Sequence, residues 1–252
     1  MNESEESPRR DENYPSVSIV VPTYCEVENL PHLVEQIERL CADSGVVAEL
    51  LIIDDDSRDG TDDLVNGLGK DWVRLEVRRD ERGLSSAVVH GLGLARHDVI
   101  VVMDADLSHP PQKIPQMIEA LEGGAEFAMG SRYVAGGSTD ASWGLFRWLN
   151  SRIATLMARP LTKLRDPMSG FFAARRASIE PALCRGDLNP IGYKIALELI
   201  VKCEFRKVAE VPIHFADRRH GQSKLTFSEQ LRYLQHLGRL YLYKFRRIVS
   251  RR

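Results

Sequence analysis

Val99-Ile100-Val101-Val102-Met103-Asp104-Ala105-Asp106-Leu107-Ser108-His109-Pro110-Pro111 is the stretch that decides how this chain is read. Its first five residues are apolar without a polar break, the pattern of a parallel strand covered by helices on both faces. The run then delivers two carboxylates two residues apart. In extended chain such side chains point to the same side, so Asp104 and Asp106 can reach one hard divalent ion together. Oxygen ligands of this kind suit Mg2+ or Mn2+, and the same ion could hold a diphosphate. A bare D-x-D is common by chance; its place behind a buried strand gives it weight. His109 reads as a polar residue ahead of a Pro-initiated helix rather than as a third ligand.

Two upstream strand ends carry further chemistry. Val17-Ser18-Ile19-Val20-Val21 runs into Pro22-Thr23-Tyr24-Cys25-Glu26, where a ring could stack on a nucleotide base and a carboxylate could accept hydrogen bonds from it. The run 49–53 leads into Asp54-Asp55-Asp56-Ser57-Arg58-Asp59-Gly60-Thr61. Four carboxylates within six residues repel one another, so they need a cation, hydrogen-bond donors or full hydration. Asp59 or Thr61 can cap the next helix, whereas Asp54 and Asp55 arrive directly from an apolar strand.

Around these ends, β-branched runs alternate with helical patterns. Helices are expected over 30–41, 61–68, 84–96 and 111–121, and strands over 72–77 and 126–129. The alternation predicts an α/β fold with a mostly parallel central sheet flanked by helices, in which ligands collect at the carboxyl edges of the strands. Beyond Ser131 the pattern is less regular, with a helix expected over 143–158, a strand over 170–174, a helix over 193–203 and a strand over 207–213. Arg218-Arg219-His220-Gly221-Gln222-Ser223-Lys224 then gathers three permanent cations around a glycine, a clamp suited to a diphosphate or a phosphorylated acceptor.

The bulk properties set limits. At 252 residues, 43% hydrophobic and 28% charged, one principal domain with a substantial core is expected. Lys and Arg number 34 against 36 Asp and Glu, so no global field argues for a nucleic-acid partner. Cys25, Cys41, Cys184 and Cys203 form no C-x-x-C pair, which disfavours structural zinc and a disulfide framework and fits a reducing cytoplasm. Residues 1–14 read as a disordered leader without the apolar centre of a signal peptide, and residues 15–225 as the principal domain, which the resemblance given below implies is catalytic. No stretch approaches about eighteen uninterrupted apolar residues. Residues 226–252 are expected to form an amphipathic basic helix bearing Phe227, Leu231, Leu234, Leu237, Leu240, Tyr241 and Phe245. From Gln230 to Arg252 there are seven Arg or Lys and no acidic residue, so this helix could lie on an anionic membrane interface.

Taken together, the segments resemble the family 2 glycosyltransferases, and within them the dolichyl-phosphate or polyprenyl-phosphate mannose synthase branch. The matching stretches are Val21 to Glu26, Asp54 to Thr61, Arg82-Gly83-Leu84-Ser85-Ser86-Ala87, Asp104 to Pro111, Gly130-Ser131-Arg132-Tyr133, Asp166-Pro167-Met168-Ser169-Gly170-Phe171-Phe172, Gly192-Tyr193-Lys194 and Arg218 to Lys224. They cover about residues 16 to 235 in order, which is specific as a set. The resemblance implies a GT-A, Rossmann-like fold, with donor binding by Pro22, Tyr24, Glu26, Ile53, Asp55, Asp104, Ala105 and Asp106. It implies metal coordination by Asp104 and Asp106, and a catalytic set completed by Arg132, Arg218 and Lys224 on the phosphates or sugar. On fewer matched residues it implies acceptor contacts from Arg147, Ser169 and Lys194. Cys25 stands where the family usually has Asn, and Ser108 where some members have Gln; neither departure removes a carboxylate.

The implied activity is inverting, metal-dependent transfer of mannose from GDP-mannose to dolichyl or polyprenyl phosphate, by a protein peripheral on the cytoplasmic face of a membrane. Some relatives carry transmembrane helices after the catalytic domain. This chain ends at Arg252, so it works peripherally, relies on a membrane-protein partner or was truncated. Two alternatives stand beside this reading. One is a family 2 enzyme using UDP-glucose or UDP-N-acetylglucosamine, on a lipid-phosphate or saccharide acceptor. The other is a non-catalytic nucleotide-sugar binding subunit, against which the retention of Asp55, Asp104, Asp106, Arg218 and Lys224 argues.

Overall fold

The apolar runs of the first half form four parallel strands, β1 (Ser16–Thr23), β2 (Val47–Asp54), β3 (Val73–Val77) and β4 (Val99–Val102). The patterned segments between them form helices α1 (Leu30–Ser44), α2 (Thr61–Leu68) and α3 (Leu84–Leu94). A 3-10 turn at Pro111–Lys113 leads into α4 (Ile114–Glu122) and then β5 (Phe127–Ser131). This is a computed structural model that describes residues 15–140, 145–189, 191–217 and 227–250. The expected leader and the basic segment 218–226 lie outside the described residues.

The strands read as unbroken apolar runs because both of their faces are covered. Val17, Ile19, Val21, Leu50, Ile52 and Val101 belong to one core, with α1 and α4, while Val20, Leu51, Ile53, Ile100 and Val102 belong to another, with α3. On that second side a Cβ at Gly91 would stand 2.4 Å from Val20 Cγ1, so only glycine lets α3 sit this close to the sheet.

The second half adds β6 (Ser138–Thr139), α5 (Leu145–Ala158), β7 (Phe172–Arg175), α6 (Arg176–Cys184), α7 (Ile195–Cys203), β8 (Val208–Pro212), β9 (His214–Phe215) and α8 (Phe227–Ser250). The main sheet has seven strands in the order β3-β2-β1-β4-β7-β5-β8, and β6 pairs with β9 separately. Only β7 runs antiparallel to its neighbours, β4 and β5. Because β1 lies between β2 and β4, the chain winds to one side as far as β3 and to the other from β4 onward. The crevice beyond the carboxyl ends of β1 and β4 is therefore the switch point where such sheets bind ligands.

Four features differ from the sequence expectation, the first being the short pair β6–β9, which was not foreseen. Helix α6 was not foreseen; it contains Pro181 and buries only Ile179 and Ala182, so it offers no apolar stripe to read. The helix expected from residue 193 begins at Ile195, because Gly192 (φ 69°) and Lys194 (φ −116°, ψ 49°) hold a turn. The apolar residues of α8 do not share one face. Leu237 and Leu240 join Tyr233 in a core with Leu197 and Val201, whereas Leu231, Leu234 and Phe245 are exposed. The side chain of Phe227 lies outside the described part.

Candidate active site

The acidic run after β2 resolves into separate duties. Asp54 is buried and closes the turn: its Oδ1 accepts the Thr23 hydroxyl at 2.9 Å and its Oδ2 the Ser57 amide at 2.8 Å. Asp59 Oδ1 accepts the Thr61 amide at 3.1 Å, closing the first turn of α2. Asp56 is paired with Arg58. Asp55 is the carboxylate that lines a cleft, and it is buried. Its Oδ1 accepts Arg78 Nε (2.8 Å) and Nη2, and its Oδ2 the Gly83 amide at 2.7 Å. Arg78 also donates to Ser86 Oγ at 3.1 Å and to the Gly83 carbonyl at 3.2 Å, so one guanidinium ties the ends of β2 and β3 to the start of α3. Local donors thus resolve the repulsion within the run.

Pro22, Tyr24 and Glu26 form the neighbouring wall of the cleft. The Arg82 guanidinium lies 5.2 Å from the centroid of the Tyr24 ring, and Nη1 donates to its hydroxyl at 3.3 Å. Ile53 is different: its side chain is fully buried under α3 and does not reach the cleft.

After β4 a tight loop with Leu107 at φ 62° presents Asp104, Ala105 and Asp106 to the same cleft. Asp106 is buried, and its Oδ1 accepts both the amide (3.1 Å) and the hydroxyl (2.6 Å) of Ser108. His109 is packed between Phe171 (stacked, 5.3 Å) and Phe215 (edge-on, 5.4 Å). Its Nδ1 accepts the Asp104 amide at 3.0 Å, which places the ring proton on Nε2. Burial depresses the imidazole pKa, and the neutral ring braces the loop. A Cβ on Gly170 would come within 3.6 and 3.7 Å of the Asp104 carboxylate oxygens, so glycine there leaves room beside that carboxylate.

The opposite wall comes from the second half of the chain. Arg132 at the end of β5 is buried, and its Nε and Nη2 each donate at 2.7 Å to the fully buried Asp166, a two-point fork. Asp166 also accepts the Arg132 amide at 3.0 Å, and its own amide is held by Glu210 at 3.1 Å. Ser169 and Lys194 line the cleft beside them. Lys194 Nζ donates to the Met168 carbonyl at 2.7 Å. Lost hydration, reinforced by Arg132, lowers its pKa to about 8.

The cleft encloses about 780 Å³ and gathers Pro22, Tyr24, Glu26, Asp55, Asp104, Ala105, Asp106, Arg132, Ser169 and Lys194. Arg218 and Lys224 lie outside the described residues, as does the side chain of Arg147 on α5. Sequence reasoning passed over Arg78 and gave no role to Asp166. Their partners stand 23 and 34 residues away, and no local pattern announces them.

The profile described as Glycosyl transferase family 2 matches residues 18–182. The chain is 44% identical over 229 residues to a dolichol-phosphate mannosyltransferase of Pyrococcus furiosus, covering 89% of this chain but only 63% of that protein's length. It is 40% identical over 236 residues to the dolichol-phosphate mannosyltransferase of Saccharomyces cerevisiae, covering 90% and 88% of the two chains. Among solved structures, glucosyl-3-phosphoglycerate synthase from Mycobacterium tuberculosis in complex with Mn2+, UDP and glucosyl-3-phosphoglycerate gives a TM-score of 0.64 at 18% identity, over 91% of this chain and 80% of that one, a likeness of fold.

Proposed function

The chain belongs to glycosyl transferase family 2, and from that premise we propose that it transfers mannose from GDP-mannose to a dolichyl or other polyprenyl phosphate, inverting the anomeric centre. What carries the proposal is a single cleft in which the strand-end carboxylates Asp55, Asp104 and Asp106 face the cations Arg132 and Lys194, in a chain 40% and 44% identical to two dolichol-phosphate mannosyltransferases.

The residues fit a divalent cation. Asp104 and Asp106 sit on one loop, Asp106 oriented by Ser108 and Asp104 beside the space that Gly170 leaves. Among the described residues no third His, Cys, Asp or Glu completes a cluster. Such a site suits Mg2+ or Mn2+, ions held by one or two carboxylates that take the rest of their shell from water and substrate phosphates. An ion bound there supplies Lewis acidity to the departing diphosphate.

The remaining work falls to side chains. Pro22, Tyr24 and Glu26, with Asp55 held by Arg78, bind the nucleoside. Arg132, held by Asp166, and Lys194 set positive charge against the phosphates, with Arg218 and Lys224 from the basic segment. A phosphate monoester, with a second pKa of about 6, is already largely dianionic at neutral pH and needs no general base. Its oxygen bonds to the anomeric carbon while the bond to GDP breaks and the electron pair leaves on the diphosphate. The enzyme's task is alignment and charge stabilisation.

The acceptor's lipid tail calls for a membrane surface. Leu149, Ile153 and Leu156 on α5 and Leu231, Leu234, Leu242, Phe245, Ile248 and Val249 on α8 are each between 47% and 71% exposed. Tyr233 and Tyr241 of α8 bind the two helices together by donating to the Ala154 and Met157 carbonyls. Asn150, Ser151 and Ala154 of α5 and Arg232 of α8 line the cleft, which therefore opens beside this apolar band. No helix among the described residues is long and apolar enough to cross a membrane. These features support peripheral docking on a membrane, for which the reading takes the cytoplasmic face, with the acceptor phosphate reaching the cleft from the bilayer.

Offering GDP-mannose, UDP-glucose and UDP-N-acetylglucosamine in turn, with polyprenyl phosphate and Mg2+ or Mn2+, tests the proposal. Mannosyl-lipid from GDP-mannose alone is expected. Transfer from a UDP-sugar instead overturns the donor, and binding of nucleotide sugar without any transfer supports a non-catalytic subunit.

A further inference from the structure

We propose that Arg82 selects the base of the donor, its guanidinium gripping O6 and N7 of guanine while Asp55 accepts the neighbouring N1–H. The inference rests on the GDP-mannose reading above, with Tyr24 as the ring on which the base stacks. Arg82 lines the cleft together with Tyr24 and Asp55. Arg132, across the cleft, is committed to Asp166 by a two-point fork. Arg82 is held lightly by comparison: Nη1 donates to the Tyr24 hydroxyl and Nη2 to the Asp56 carbonyl, each at 3.3 Å. The carboxylate beside it, Asp56, stands 3.7 Å away and is paired more closely with Arg58, at 2.7 Å. A side chain 57% exposed gives up such bonds at small cost.

The same loop sets an acceptor next to this donor. Gly83, which follows Arg82 in the chain, donates its amide to Asp55 Oδ2 at 2.7 Å. Both Arg78 bonds fall on Oδ1. A carboxylate has about four acceptor sites, so Oδ2, the oxygen that the Arg82–Gly83 backbone reaches, keeps a lone pair. A base lying on Tyr24 takes the place of the guanidinium, now 5.2 Å from the ring centroid, and turns it towards the base's edge. That edge then meets a fork of donors beside a single acceptor. Guanine matches it in the order N7, O6, N1–H. Uracil answers with O4 and N3–H alone and leaves one arm of the fork empty. Adenine and cytosine turn an amino group towards the guanidinium and are rejected.

The full chain with Mn2+ is titrated by calorimetry with GDP, with 7-deaza-GDP, which lacks only the N7 acceptor, with IDP, which lacks only the 2-amino group, and with UDP. GDP and IDP are expected to bind alike, 7-deaza-GDP roughly tenfold more weakly and UDP more weakly still. Arg82→Met, at an exposed position, is expected to weaken GDP by roughly tenfold or more and to bind GDP and 7-deaza-GDP equally. Its Michaelis constant for GDP-mannose rises by the same factor, with turnover unchanged. Equal binding of GDP and 7-deaza-GDP by the parent overturns the fork. Equal weakening of GDP, 7-deaza-GDP and UDP in Arg82→Met puts the guanidinium on the diphosphate and overturns base selection. Either result leaves the GDP-mannose reading standing. Tighter binding of UDP than of GDP by the parent sinks that reading, and the assignment of Arg82 falls with it.

Discussion

The two walls of the cleft are built by opposite means. On the β1–β4 side, charged groups leave the ends of strands; Asp54 and Asp106 are oriented by donors close by in sequence, Ser57 and Ser108, and Asp55 by Arg78 and the Gly83 amide from farther along the chain. On the β5–α8 side, the cations are fixed by groups far along the chain: Arg132 by Asp166, Lys194 by the carbonyl of Met168. The first wall holds carboxylates along the cleft, where a cation can join them. The second buries positive charge and must carry its own counter-charge. Changes on the first wall are therefore expected to cost activity, and changes behind the second to cost stability.

Asp106→Ala gives the largest expected effect. Transfer of mannose to lipid should fall by at least about 10³-fold, while loss of the acceptor for Ser108 lowers stability by only about 1 kcal/mol. Near-normal turnover would remove the β4 carboxylates from the mechanism and erase the contrast. Asp166→Ala should act the other way, lowering stability by about 3 kcal/mol in denaturant titrations because the Arg132 guanidinium is left buried and unpaired. An Asp166→Ala protein as stable as the parent breaks the comparison from the other side.

Arg78→Met sharpens it, since Arg78 is a buried cation behind the first wall and its loss, which leaves the buried Asp55 without a counter-charge, is expected to lower stability as well. Asp55 keeps the Gly83 amide but loses two guanidinium donors. The Michaelis constant for GDP-mannose is expected to rise about tenfold with turnover little changed; an equal loss in turnover would place Asp55 in the chemical step.

The smallest effect concerns Lys194. Its folded-state pKa of about 8 lies below the ordinary 10.5, so its charge is lost as pH rises through 8. The specificity constant of the free enzyme should decline above that pH, and Lys194→Arg should flatten the decline; an identical profile in the variant removes Lys194 from phosphate binding. The linked stability term has the reverse sense. Folding disfavours the charged ammonium, so the cost is full below about pH 8 and is relieved as pH rises towards 10.5.

Legibility in the sequence followed the same division. Asp104 and Asp106 were readable because an apolar run ends directly before them, and both line the cleft. Asp54 and Asp55 looked alike, and only the fold turned one into the closure of a loop and the other towards the cleft. His109 was read as a polar residue ahead of a helix, and its place as a neutral brace between two Phe rings depends on β7 and β9 reaching it. The stripe on α8 was visible as a set of apolar residues, but not which of them pack inward.

By itself, then, the sequence determined the α/β architecture and the position of the carboxylate-bearing strand ends, because apolar periodicity and turn chemistry act over a few residues, and its ordered motifs carried the resemblance to the family. Only the tertiary structure decided the antiparallel insertion of β7, the pairing of Arg132 with Asp166, the bracing of Asp55 by Arg78 and the rotation of α8. Those depend on which distant surfaces meet, and a buried charge finds its partner across the sheet rather than along the chain.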